Sequence, residues 1–357
     1  MSLRPRPWLD ALEPYVPGQT APLLEGSMAS NESPLPVSRA LLEAIQGAAR
    51  TIQRYPDPLA DEVRQELARL HGVSPDQILI GNGSDELIYL LGWAYLAGGG
   101  SVVCADPAYR MNTVIGTIVN ARITQVPLRD WHHDLAAMAR IEADIAFVVN
   151  PHNPTGTLHS RESLVRFIES SRAKLIVVDE AYIDFCDDPE GTTAISLTGS
   201  GRVAVLRTFS KAHGMAGLRI GYLLASPEII RTLRTIRPPF SVGTLAQAAA
   251  VASLRDRTHF TEMRDYVCAN RTALSELLAA HGFSVVPSQS NFVLAEVPAA
   301  DRLIEHLRLS GVAVRPGASL GVPGTVRVSV PSHAGLELIA AALTTWAAQI
   351  PATADPA

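Results

Sequence analysis

The chain is poor in cysteine, in aromatic residues and in charge. Its 357 residues carry only Cys104, Cys186 and Cys268, odd in number and far apart. That excludes a disulfide framework and a clustered metal site such as zinc, so no metal is expected, and it leaves buried thiols in a reducing cytoplasm as the expectation. Charged residues make up 18% and the net charge is −5. With no basic stripe, nucleic acid is excluded as a partner. No apolar run reaches the roughly 18 residues that a membrane span needs, so no membrane association is expected. The opening "MSLRPRPWLDALEPY" has no apolar segment of the kind a secretory signal requires. Internal repeats and long low-complexity stretches are also missing.

Apolar residues, by contrast, reach 47%. A chain this long and this apolar is globular and fits one large core with a smaller one beside it. Seven short runs rich in β-branched residues occupy 77–81 ("QILIG"), 101–106 ("SVVCAD"), 121–126 ("ARITQV"), 144–150 ("DIAFVVN"), 174–180 ("KLIVVDE"), 203–209 ("VAVLRTF") and 219–225 ("RIGYLLA"). Several are continuously apolar, as strands buried on both faces are. Helical patterns lie between many of them. In 58–72 the residues Leu59, Val63, Leu67 and Leu70 share one face, and the 84–99 stretch opens on Ser84 as a cap and closes on glycines. Strands alternating with helices predict an α/β fold with a mainly parallel seven-stranded sheet flanked by helices.

After residue 255 the pattern changes. A helical stretch over 264–281 precedes short strands at 283–287, 291–297, 312–317 and 325–330, and a last helix runs over 336–349. The expected organisation is an arm over 1–30 that packs on the small domain or a partner subunit, a large domain over 31–255, a smaller α+β domain over 256–350, and a disordered tail over 351–357.

Ligands of open α/β sheets bind beyond the carboxyl ends of the strands, and polar residues gather there. "ILIGNGSDE" is a strand, a glycine turn and a helix start, whose free N–H groups with Ser84 make an anion site. "VVNPHNPTG" ends a strand on Asn150 and then Asn153. "LIVVDEAY" ends one on Asp179, with Tyr182 three residues on. "LRTFSKAHGMAGLR" carries Ser210, Lys211 and Arg219. Alone, each has an ordinary reading: a capping aspartate, a turn before proline, a solvated lysine. His132 and His133 read as a polar loop without a role. His152 and His213 read as residues lining the site.

Taken together the residues fit pyridoxal phosphate. That cofactor needs an amine for a Schiff base, a carboxylate at the pyridine nitrogen, donors to the phenolate oxygen, an aromatic plate and a phosphate cradle. Lys211, Asp179, Asn153 with Tyr182, Tyr109, and the group Ser84, Asp85, Ser210 and Arg219 supply these in turn.

The chain resembles the fold-type I pyridoxal-phosphate aminotransferases of class I/II, within them the histidinol-phosphate and aromatic aminotransferases. The resemblance rests on "ASNESP" (29–34), "RYPDP" (54–58), "GNGSDE" (81–86), "DPAY" (106–109), "NPHNPTG" (150–156), "VVDEAY" (177–182), "TFSKAHGMAGLRIGY" (208–222), "SNFVLAEV" (290–297) and "VAVRPG…TVRVSV" (312–330), in family order over nearly the whole chain. It implies an aspartate-aminotransferase-like fold. It makes Lys211 the Schiff-base amine and proton carrier, and pairs Asp179 with the pyridine nitrogen. Tyr182 and Asn153 would bond the phenolate oxygen, and Tyr109 would stack on the ring. The phosphate would be held by the Ser84 and Asp85 backbone with Ser210 and Arg219, and by Tyr55 of "RYPDP" across a homodimer interface. Arg327 would receive a substrate α-carboxylate, with Arg315, Tyr15 and Asn31 also on the substrate side. The implied reaction exchanges an amino group between an amino donor and a 2-oxo acid, 2-oxoglutarate and glutamate being the partner pair.

Histidinol phosphate and an aromatic amino acid both stay open as the donor. His213 and His152 stand where relatives often have an aromatic residue and an asparagine, and would alter the pocket edge. "VSVPSHAG" (328–335) lacks the glycine-threonine ending frequent in histidinol-phosphate enzymes. "YVPGQT" (15–20) and "PFSVGTLAQAAA" (239–250) resemble the aromatic branch. A threonine-phosphate-type decarboxylase, a lyase that doubles as a regulator and a protein with a vestigial site are the alternatives on the same fold.

Overall fold

All seven apolar runs become strands of one sheet in the computed structural model, which describes residues 4–349. In chain order the strands are β1 (Ser27–Met28), β2 (Ile78–Gly81), β3 (Ser101–Asp106), β4 (Arg122–Pro127), β5 (Ile145–Val149), β6 (Leu175–Asp179), β7 (Val203–Thr208), β8 (Gly221–Leu224), β9 (Ser284–Val286), β10 (Phe292–Glu296), β11 (Ala313–Pro316) and β12 (Thr325–Ser329). The large sheet has the order β2-β8-β7-β6-β5-β3-β4. Its pairs are parallel except those of β8, which runs antiparallel to β2 and β7.

Every residue of β5, β6 and β7 is buried. The reason is helix cover on both faces. Side chains alternate along a strand, so Ala146 and Val148 enter one core with Val63, Leu67 and Leu164, while Ile145 and Phe147 enter the other with Leu87, Ile115 and Leu233. A strand packed on both faces is apolar along most of its length, Arg207 of β7 being a buried exception. The edge strand β4 has only Val126 buried, and its pattern is correspondingly mixed.

The second sheet has the order β1-β11-β12-β10-β9. It packs under the helices Arg257–Ala280, Ala300–Leu309 and His333–Gln349 around Met28, Leu274, Val293, Val326 and Leu343. Strand β1 pairs with β11 in parallel and comes from the segment read as an arm. Two residues are too short to display an alternation.

Some local readings need correction. Val63 and Leu67 are buried on the helix Asp61–His71, but Leu59 lies before that helix and Leu70 faces solvent. The long helix begins at Arg257, where the Asp256 side chain caps it by accepting from the His259 N–H. The helix after β2 starts at Gly83, so Asn82 and not Ser84 holds the cap position. No helix among the described residues is long and apolar enough to cross a membrane. The 351–357 tail lies outside the described residues.

Candidate active site

A cleft of about 480 Å³ opens at the carboxyl ends of β5, β6 and β7 and runs to the small sheet. Of the residues given a cofactor or substrate role from the sequence, every one but Tyr55 lines it, while His152 and His213, read as lining residues, do not.

Asp179 closes β6 at the floor, and its Oδ1 accepts the Ala181 N–H at 3.0 Å. Burial pushes its carboxyl up to about 7. The charges of Asp85 and Glu180 act the same way, against the Ala181 N–H and Lys211. Lys211 follows β7. Its Nζ donates to the carbonyl oxygens of Asn31 at 3.1 Å and Ser30 at 3.4 Å, and lies 5.6 Å from the Tyr182 ring centroid. These acceptors are neutral, so no carboxylate ties the amine down among the described residues. Asn31 holds this corner together. Its backbone N–H donates to Ser329 Oγ at 2.8 Å, its Nδ2 donates to the Tyr182 hydroxyl at 3.1 Å, and its carbonyl also accepts from Asn291 Nδ2 at 3.0 Å. The "ASNESP" stretch therefore seams the small sheet to the Lys211 loop.

The end near β2 has the donors that could hold an anion. The helix Gly83–Tyr95 has no side-chain cap, which leaves its first-turn N–H groups free for a ligand. Gly83 has φ 74°, and a Cβ there would sit 2.6 Å from Arg219 Nη2. At Gly221 a Cβ would lie 2.7 Å from the Ser84 nitrogen. Only glycines allow this turn and Arg219 to meet. Arg219 Nη1 donates to Ser210 Oγ at 3.3 Å, and Nη2 approaches Asp85 Oδ2 at 3.5 Å. The Tyr109 hydroxyl donates to Asp85 Oδ1 at 2.8 Å. Burial, with the Asp85 charge next, raises the Tyr109 phenol well above its ordinary value, so it stays a donor.

At the other end Arg327 is buried. Its Nη1 donates to Asn153 Oδ1 at 2.6 Å and Nη2 to the Ala29 carbonyl at 2.9 Å, while Nε has no partner. Burial lowers its pKa to about 10, which leaves it charged at neutral pH. Asn153, having given its oxygen to Arg327, keeps its Nδ2 for another acceptor. Arg315 Nη2 donates to the Val16 carbonyl at 3.1 Å, and its guanidinium lies 5.8 Å from the Tyr15 ring centroid.

The histidines depart from expectation. His133 is buried, with Nε2 3.0 Å from the Val149 carbonyl, because the "DWHHD" turn folds under β5. His152 contacts Thr155 Oγ1 at 2.9 Å and the Pro107 carbonyl at 3.2 Å, and His213 contacts Ser253 Oγ at 2.7 Å. Both are buried behind the cleft, not along its wall. Tyr55 is 82% exposed and stacks on Phe240 with ring centroids 4.6 Å apart. The sequence reading overlooked Arg110, Asp106, Gln125 and the 319–321 turn, all on the cleft wall. Arg110 follows Tyr109 directly, which was the available signal.

The arrangement joins an unpinned amine, a buried carboxyl, an anion cradle and a partly unsatisfied guanidinium in one cleft. The comparisons agree with it. Residues 25–343 match the family model described as aminotransferase class I and II. The chain is 36% identical over 335 residues to a histidinol-phosphate aminotransferase of Moorella thermoacetica, covering 90% of this chain and 87% of that protein. It is 40% identical over 348 residues to an aromatic amino acid aminotransferase of Nocardia farcinica, covering 91% and 94%. Its fold matches the crystal structure of a histidinol-phosphate aminotransferase from Sinorhizobium meliloti in complex with pyridoxal-5'-phosphate, with a TM-score of 0.90 at 28% identity over 98% of this chain and 99% of that one. The chain belongs to the class I and II aminotransferases.

Proposed function

We propose that this enzyme transfers the amino group of histidinol phosphate or an aromatic amino acid to 2-oxoglutarate, with pyridoxal phosphate as cofactor. The observation that carries the reading is the shared cleft. Lys211 meets only neutral acceptors, Asp179 is a buried carboxyl at the strand end beside it, and Arg327 is a buried guanidinium with no carboxylate partner among the described residues.

The residues fit the cofactor. A carboxyl pushed up to about 7 readily shares a proton with a pyridine nitrogen. The uncapped helix start with Ser210 and Arg219 suits a phosphate. Tyr182 and the free Nδ2 of Asn153 suit a phenolate oxygen. When bound, pyridoxal phosphate supplies an aldehyde for the amine and a ring that delocalises the electron pair left at Cα. Lys211 takes the Cα proton as a neutral amine and returns it as an ammonium, a short transfer within its loop. Asp179 keeps the ring nitrogen protonated. Arg327 aligns a substrate carboxylate through two parallel donors.

We take Tyr55 to serve the cofactor phosphate of a second chain. Its exposure beside Phe240, also partly exposed, favours a homodimer that covers both. Residues 31–255 and 256–350 are taken as the two domains, with 1–30 as the arm. The free thiols of Cys104, Cys186 and Cys268 suit a cytoplasmic enzyme.

The test is a donor panel with 2-oxoglutarate comparing histidinol phosphate, phenylalanine, tyrosine and aspartate. Turnover of histidinol phosphate or an aromatic donor above aspartate is expected. Carbon dioxide release from threonine phosphate, with no amino transfer to 2-oxoglutarate, would overturn the reading.

A further inference from the structure

Tyr109 and Arg110 are adjacent in sequence and reach different parts of the cleft. Tyr109 precedes the helix Arg110–Ile118 and points its hydroxyl at Asp85, in the anion cradle. Arg110 opens that helix and reaches the substrate mouth. Its Nη2 donates to the Glu13 carbonyl, and its guanidinium lies 5.6 Å from the Tyr15 ring centroid. Arg315, from β11, approaches the same ring and donates to the Val16 carbonyl. Residues 13–16 are thus held by two guanidiniums, one from each sheet's side of the cleft, on two carbonyls that lie either side of Tyr15.

Little else holds this segment. Residues 13–17 are all exposed, with Tyr15 at 65% and Val16 at 71%. Apolar burial therefore does not fix it. The nearest upstream anchor is Trp8, whose Nε1 donates to the Ile118 carbonyl at 3.2 Å, at the far end of the helix that Arg110 begins. A guanidinium donates in its plane to a carbonyl while its flat face lies against a ring; an ammonium offers a point charge and no plane.

We propose that Arg110 is a positioning residue that latches residues 13–16 across the substrate mouth, so that Tyr15 becomes a wall of the substrate pocket. Arg110 does not touch the reacting atoms. Its effect is on how well the pocket is closed around the donor. The kinetic part of this proposal rests on the aminotransferase reading, while the part concerning the segment's order does not.

The experiment uses the enzyme loaded with pyridoxal phosphate and the variants Arg110→Ala and Arg110→Lys. Chymotrypsin cleavage within residues 11–18 is followed by mass spectrometry, and steady-state kinetics are measured with the best donor of the panel. Arg110→Ala should speed cleavage there on the order of ten-fold, as expected for losing one stacking contact and one charged hydrogen bond. KM should rise by more than kcat falls, and Arg110→Lys should lie between the alanine variant and the parent. Unchanged cleavage in Arg110→Ala would overturn the latch. So would a joint fall in kcat and cofactor affinity with KM unmoved, since Arg110 would then serve only the Tyr109 turn. If the parent enzyme turns over no donor, the amino-transfer reading fails, and the cleavage rates still decide the latch.

Discussion

Replacing Asp179 by asparagine should push the cofactor-free protein and the loaded enzyme in opposite directions. Burial holds this carboxyl at about 7, against 3.8 for an ordinary aspartate. Below about pH 4 the folded and unfolded chains both carry the proton, and the group costs nothing. Between about pH 4 and 7 the unfolded chain releases the proton while the folded chain keeps it, so stability falls as pH rises. Above about pH 7 both are ionised and the full cost remains, of order 4 kcal/mol at 1.36 kcal/mol per pH unit. The substituted asparagine would keep the Ala181 N–H bond through its Oδ1 and carry no charge. Cofactor-free Asp179→Asn should therefore be more stable than the parent at pH 8, by up to about 4 kcal/mol, and the gain should vanish near pH 4. With pyridoxal phosphate bound the sign reverses. A charged hydrogen bond to the ring nitrogen is lost, worth roughly 1.5–3 kcal/mol, or about one to two orders of magnitude in affinity. Turnover should fall further, because the ring no longer stays protonated. Urea unfolding of the stripped proteins at pH 4, 6 and 8, with cofactor titration and kcat, reads all three. A stripped variant no more stable than the parent at pH 8 refutes the burial argument, and an unchanged kcat refutes the pairing.

Arg327→Lys should lower kcat/KM for donors with an α-carboxylate on the order of a hundred-fold, as a two-pronged charged contact is lost; normal handling of every donor would make Arg327 an ordinary strand cation. Mixing Lys211→Ala with Tyr55→Phe chains should give more activity than the two unmixed proteins together, since one site per mixed dimer recovers both side chains; no gain after confirmed subunit exchange would remove the shared site. Arg207 Nη2 pairs with Glu180 Oε2 at 2.9 Å, both buried. Arg207→Ala would strand that carboxylate and should cost about 3–5 kcal/mol in urea unfolding; a negligible shift would show that Thr193 and the Ala194 N–H, its other partners, satisfy it.

The amino-acid sequence by itself determined the seven strands of the large sheet and the residues at their ends. A strand packed on both faces is mostly apolar, so the runs through Val149, Asp179 and Thr208 end visibly where polar groups begin. Lys211, Asp179 and Asn153 were legible because each stands at or just past such an end. Gly83 and Gly221 belonged to recognisable turns, but the crowding that requires glycine there comes from Arg219 and Ser84 across the site. Tertiary structure alone decided the contacts between distant segments. β1 joins the small sheet through two residues, too few for any pattern. His133 looks like a loop residue until the turn folds beneath β5, and His152 like a lining residue until it is buried against Thr155 and Pro107. Arg327 meets Asn153 across 174 residues and Arg110 meets Glu13 across 97. Periodicity reports which face of an element is buried. It carries no record of which distant carbonyl a guanidinium will find once the chain has closed, and the substrate mouth is made of such pairs.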